Sequence, residues 1–187
     1  MSLWRSSFNE VTDWAHSCTT NIIAVGILAY NVAKNNHEFH KNTPKMYWLY
    51  LFFGINGQGV YTTWTIIASL INLSHCLVYV SEIEMETVSS IALGALLGII
   101  IVYSVLEGTI LDTYLRFMFT PYLTIIYASI GILDKIKTKD GIPQSTENLT
   151  KAIIGTTCVL LIFKIGLVIF RQHKKPLDSF KPARILK

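Results

Sequence analysis

The chain has 187 residues, of which 51% are hydrophobic and 15% charged, with a formal net charge of +4. Soluble domains carry about 25% charged residues, and here the shortage is concentrated, since Val88 to Leu106, Phe117 to Leu133 and Ala152 to Phe170 hold a single charged residue between them, Lys164. Each stretch approaches the roughly 20 residues needed to cross hydrocarbon, and a soluble core has no room for several such helices, so a water-soluble enzyme and a nucleic-acid-binding domain are excluded.

The predicted architecture is all-α, a polytopic transmembrane helix bundle of four or five spans. Residues 1–17 read as an interfacial amphipathic segment, with Leu3, Trp4, Phe8, Val11 and Trp14 at helical spacing and Arg5, Glu10 and Asp13 between them. The bundle is expected over residues 18–170. Its first candidate span, A, covers Cys18 to Ala33, with an apolar run from Ile22 to Ala29. Glu10 and Asp13 argue against a cleaved signal peptide, which needs a basic leader. If A crosses, the N-terminus lies outside; if it only dips into the interface, there are four spans.

Tyr47 to Val80 runs for 34 residues without a Lys, Arg, Asp or Glu. The Asn56-Gly57-Gln58-Gly59 cluster is read as a breaker within it, leaving Tyr47 to Ile55 as an aromatic approach in the interface and Gly59 to Val80 as span B. An acidic turn, Ser81 to Thr87, precedes span C, Val88 to Leu106. A tight connection with Glu107 and Asp112 leads to span D, Thr113 to Leu133, where Asp112 and Arg116 are spaced to pair and Pro121 can kink the helix. A loop from Asp134 to Lys151 precedes span E, and residues 171–187 form a basic tail. Lys164 of span E is expected to snorkel to the nearby interface.

Basic residues orient the spans. Lys34, Lys41, Lys45, Arg116, Arg171, Lys174, Lys175, Lys181, Arg184 and Lys187 fall on one side, and Arg5, Lys135, Lys137, Lys139 and Lys151 on the other. This excess puts the C-terminus in the cytoplasm, and the tail suits attraction to anionic lipid better than nucleic-acid binding.

Span B carries the main candidate site. At 100° per residue Gln58, Thr62, Thr65, Ser69, Asn72, Cys76 and Tyr79 share one arc, with His75 at its edge. Polar groups in hydrocarbon must turn inward, so Thr62, Thr65, Ser69, Asn72 and His75 are candidate ligand-binding residues. The same residue types also serve as plain interhelical and backbone hydrogen bonds, and both readings stay open. In span C, Ser90, Gly94 and Gly98 form a small-residue face suited to close helix packing. Cys18, Cys76 and Cys158 are scattered and read as small apolar residues. His37-Glu38-Phe39-His40 offers too few ligands at the wrong spacing for zinc, so neither a metal nor a cofactor is expected.

The run Phe53-Gly54 to Thr63-Trp64, ending in Tyr-Thr-Thr-Trp before a polar-striped helix, and the Leu149-Thr150 opening of span E resemble the androgen-induced membrane hydrolases over residues 20–170. That resemblance implies an endoplasmic-reticulum bundle hydrolysing lipid esters with an intramembrane threonine nucleophile, for which Thr63 or Thr65 would be the match. Spans C, D and E contain no histidine to serve as that family's partner base. The run Trp64-Thr65-Ile66-Ile67-Ala68-Ser69 together with Glu107 is similar to the small ergosterol-biosynthesis scaffold proteins, which implies a non-catalytic tether. Both favour an internal membrane and partners that are membrane lipid or other membrane proteins. The functions that follow are a lipid-associated binding or scaffold protein, a threonine-dependent lipid ester hydrolase, or a transporter or channel subunit.

Overall fold

The computed structural model describes residues 12–13, 16–17, 19–28, 30–31, 42–79, 81–138 and 144–174. Most of the expected interfacial segment, Cys18, the His37 to His40 cluster and the tail beyond Lys174 lie outside them. The described residues are predominantly helical and contain no strand. In order they form α1 (Thr19–Leu28), α2 (Pro44–Leu49), a π-helical turn (Tyr50–Ile55), α3 (Asn56–Tyr79), α4 (Met85–Thr109), α5 (Asp112–Leu115), α6 (Thr120–Thr138) and α7 (Gln144–Lys174). Two of these, α4 and α7, are long and apolar enough to cross a membrane.

Four helices make the bundle. α3 and α7 each pack against both α4 and α6. The hydroxyl of Thr120, opening α6, donates to the Asn56 carbonyl that opens α3, at 2.8 Å. Ser145, in the first turn of α7, donates to Glu86 in the first turn of α4, at 2.6 Å. Thus α3 runs parallel to α6 and α4 parallel to α7, as two antiparallel hairpins laid side by side. The chain from α4 to α6 must then cross one end of the bundle diagonally, and residues 110–119, including α5, form this crossover. We call this the crossover end and the opposite one the hairpin end.

The inward faces follow helical phase. Leu93, Leu96 and Ile100 of α4, three and four residues apart, meet Ile67 of α3, Tyr122 and Ile125 of α6 and Ile153 of α7 in the central core. A second cluster at the crossover end joins Tyr47, Leu51 and Ile55 to Leu115 and Met118, with Val25 and Leu28 of α1 packed against it. Tyr30 stacks on Tyr114 of α5 at 6.5 Å between ring centroids. At the hairpin end, Glu82 adopts a φ of 54°, a left-handed conformation that costs a non-glycine residue about 1 to 2 kcal/mol.

Several expectations change. The Asn56 to Gly59 cluster does not break the chain: α2, the π-helical turn and α3 follow one another without an intervening loop. The polar Asn56 side chain is spent on the crossover instead, and Gly59 provides room, since a Cβ there would lie 2.5 Å from both Met118 Cε and Thr120 Oγ1. Pro121 does not kink a helix. It lies in the first turn of α6, where its missing donor is not needed. Gly94 and Gly98 do not pack within the bundle, because a Cβ on either meets nothing within 4 Å; both are exposed on α4, whereas Ser90 is half-buried.

Candidate functional site

The buried charges of the bundle meet beneath the crossover. Glu107 continues the inward phase of Leu93, Leu96 and Ile100 on α4, and Lys164 continues that of Thr146, Thr150, Ile153 and Thr157 on α7. Both side chains are buried, and they form an ion pair between Glu107 Oε1 and Lys164 Nζ. Lys164 does not snorkel. Its ammonium turns inward and also donates to the carbonyls of Leu115, at 3.3 Å, and Met118. An ammonium has three donors, and here all three are used.

Tyr122 of α6 donates to Glu107 Oε2 at 2.7 Å, and its oxygen lies 3.1 Å from the Ser104 hydroxyl. The Tyr103 hydroxyl faces the same carboxylate without closing a hydrogen bond. The rings of Phe119 and Tyr122 sit 5.0 and 5.5 Å from the ammonium, close enough to favour the cation electrostatically. Residues of α4, α6, α7 and the crossover therefore share one charge-neutral centre.

A second, more open network follows toward the end of α7. Asp112 accepts from Arg116 on one oxygen and Arg171 on the other, each at 2.7 Å, so the expected Asp112–Arg116 pair forms and gains a third member. Arg116 also donates to Gln172 at 3.3 Å and Arg171 to the Gly108 carbonyl at 2.8 Å. Burial alone would raise the Asp112 carboxyl, but the hydrogen bonds and charges of the two guanidiniums outweigh it and hold it below the usual carboxylate range.

Asn56 clasps the crossover from the other side. Its amide nitrogen donates to the carbonyls of Leu51 and Phe117, both at 2.9 Å, and its side-chain oxygen accepts from the backbone N–H groups of Phe119 and Thr120 at 3.0 and 3.4 Å. The amide thus serves as a cap for α6 supplied by another helix, satisfying donors that a helix start leaves open.

The α3 stripe is less unified than its spacing suggests. Thr63 and Thr65 are buried, and their hydroxyls donate to the carbonyls of Gly59 and Tyr61 at 2.8 and 2.7 Å. Ser69 bonds the Thr65 carbonyl at 2.8 Å. Asn72 is half-buried, and His75 is exposed with its ring 6.1 Å from that of Tyr79. Only the side-chain oxygens of Gln58 and Thr62, one turn apart, are buried without a hydrogen-bond partner, so the polar capacity left on this stripe lies at its crossover end.

Glu107 and Lys164 were absent from the sequence-based site. Their signal was present as phase: Thr146, Thr150, Ile153 and Thr157 recur at steps of four, three and four, and the same series reaches Lys164. A small polar residue repeated at helical spacing marks a face turned away from lipid, and that face carries the lysine inward.

Comparison with protein-family models, with curated proteins and with solved structures gives no match for this chain.

Proposed function

We propose that this chain is a multi-pass integral membrane protein in which α3, α4, α6 and α7 each cross the bilayer and α1 lies against the crossover end. In this reading it is a lipid-associated binding or scaffold protein of an internal membrane. Less than a quarter of the apolar window of either α4 or α7 is buried inside the bundle, and Ile91, Val102, Leu123, Tyr127, Val159 and Phe163 are exposed around it. A core helix of a soluble protein would instead be covered. α7, with 31 residues, is about 46 Å long at 1.5 Å per residue, more than the ~30 Å of hydrocarbon, so both ends reach the headgroups.

The observation that carries the scaffold reading is how the interior uses its polar groups. The buried charges neutralise one another and tie down the crossover, and the threonines that would act as nucleophiles bond their own helix. A hydroxyl becomes a nucleophile only beside a base, and neither Thr63 nor Thr65 has a side-chain base among its hydrogen-bond partners. The interior is organised to hold a shape, which leaves the outer faces to meet lipid and partner proteins. The family resemblances favour an internal membrane such as the endoplasmic reticulum.

The test has two arms. The tagged protein should stay with membranes through an alkaline carbonate wash, and a cysteine placed at Ser179 should react with an impermeant reagent once the plasma membrane is permeabilised and the internal membranes are left sealed. The purified protein should not react with probes for serine and threonine hydrolases. Probe labelling lost in Thr63→Val or Thr65→Val would establish the hydrolase instead.

A further inference from the structure

The two ends of the bundle differ in charge. Among the described residues from 42 onward, Lys45, Arg116, Lys164, Arg171 and Lys174 lie at the crossover end with Glu107 and Asp112, a balance of +3. The hairpin end holds Glu82, Glu84, Glu86, Asp134 and Glu147 against Lys135, Lys137 and Lys151, a balance of −2. The Glu107–Lys164 pair is neutral and buried, so the excess at the crossover end resides in the remaining groups. Asp112 is shared by the Arg116 and Arg171 guanidiniums.

The remaining cations stand at the outer surface. Lys174 holds its ammonium 4.6 Å from the centroid of Phe170, a ring that is itself exposed on the apolar exterior. An ammonium resting on a lipid-facing ring is at the level where hydrocarbon gives way to headgroups. Lys45 is exposed on α2, one turn from Trp48, which is also exposed and meets Phe117 of the crossover edge to face at 5.7 Å. Exposed Tyr114 adds a further amphipathic ring. Tryptophan and tyrosine favour the membrane–water boundary, so aromatic anchors and unneutralised cations share this rim.

We propose that the crossover end binds the headgroups of anionic phospholipid, with Lys45 and Lys174 as the contacting cations. This rests on the membrane reading above. Basic groups near an anionic leaflet each contribute about 1 kcal/mol, which is about fivefold in affinity, and the aromatic rim holds them at headgroup depth.

The experiment titrates short-chain phosphatidylserine or phosphatidylcholine into the detergent-purified full chain and reads lipid binding by native mass spectrometry. Phosphatidylserine should bind the more tightly, and more weakly as salt is raised. Lys45→Gln with Lys174→Gln should weaken it by about 25-fold, two fivefold losses, with phosphatidylcholine binding and melting temperature unchanged. Equal affinity for the two lipids, or full phosphatidylserine affinity in the double variant, would overturn the proposal. So would displacement of phosphatidylserine by an equal concentration of inorganic phosphate, which would indicate a site for the free ion. Loss of the protein in the carbonate wash would overturn the membrane reading and this proposal with it. Retention in the wash without a preference for phosphatidylserine would remove the headgroup proposal alone.

Discussion

Glu107 and Lys164, 57 residues apart in the chain, neutralise each other inside the bundle. Neither charge could stay buried alone, because removing one partner leaves the other without compensation in a low-dielectric interior, at a cost of roughly 3 to 5 kcal/mol. Glu107→Leu and Lys164→Met should therefore each lower detergent stability strongly. Joining Glu107→Leu to Lys164→Met should recover much of the loss, since no charge then remains. Recovery should stay incomplete, as Tyr122 and the carbonyls of Leu115 and Met118 lose their partner. A double-mutant cycle on melting temperature measures this, and strictly additive losses would show that the two side chains do not interact.

Much of the helical layout could be read from the sequence. Spans B, C, D and E overlap α3, α4, α6 and α7, because long uncharged runs bounded by charges leave little choice of element. The topology could not be read in this way. Nothing local in residues 110–119 says that they cross the bundle diagonally, and that crossing is what draws Lys164 inward. A lysine near a helix end has an interface within reach, so snorkelling was the natural expectation until the Leu115 and Met118 carbonyls came to lie over it. Gly94 and Gly98 misled for a related reason: a small-residue spacing records that close approach is permitted, and the approach in this fold is made at Gly59.

Asn56 should be among the least replaceable polar residues, because one amide joins α3, the π-helical turn and the start of α6. Asn56→Leu would strip the side-chain partner from the N–H groups of Phe119 and Thr120 and the carbonyl of Phe117. Each buried polar group left unpaired costs about 1 to 3 kcal/mol. Asn56→Asp keeps the acceptor for the α6 N–H groups and loses only the donor side, so its melting temperature should fall between those of the wild type and the leucine variant. An aspartate variant no better than the leucine one would show that the cap on α6 contributes nothing.

Gly59 and the glycines of α4 make a paired comparison. Gly59→Ala places a methyl group 2.5 Å from Met118 Cε and Thr120 Oγ1. Met118 can give way at the end of its flexible chain, but the Thr120 hydroxyl is held by the Asn56 carbonyl. Overpacking of this kind costs roughly 1 to 3 kcal/mol. Gly94→Leu and Gly98→Leu point into open space within this chain and should leave the melting temperature nearly unchanged. A thermal melt of all three variants separates the two behaviours, and greater destabilisation by Gly94→Leu than by Gly59→Ala would contradict the packing described.

The acid limb of stability should depend on Asp112. Its carboxyl titrates below the usual range in the folded chain, because Arg116 and Arg171 outweigh the effect of burial. In the unfolded chain it returns to an ordinary value of about 3.9. A depressed folded value means that the unfolded chain binds the proton more readily, so the stabilisation is complete above that ordinary value and is lost as pH falls through it toward the folded one. Asp112→Asn should thus be less stable than the wild type at pH 7, and the two should converge as the pH is lowered below about 4. Melting curves of both proteins in detergent from pH 7 down to the acid limit would measure this. The carboxylate is partly open to solvent, which screens the interaction, so raising the salt should narrow the gap at pH 7. Curves that stay parallel across the whole range would mean that the two arginines are held by something other than the charge on Asp112.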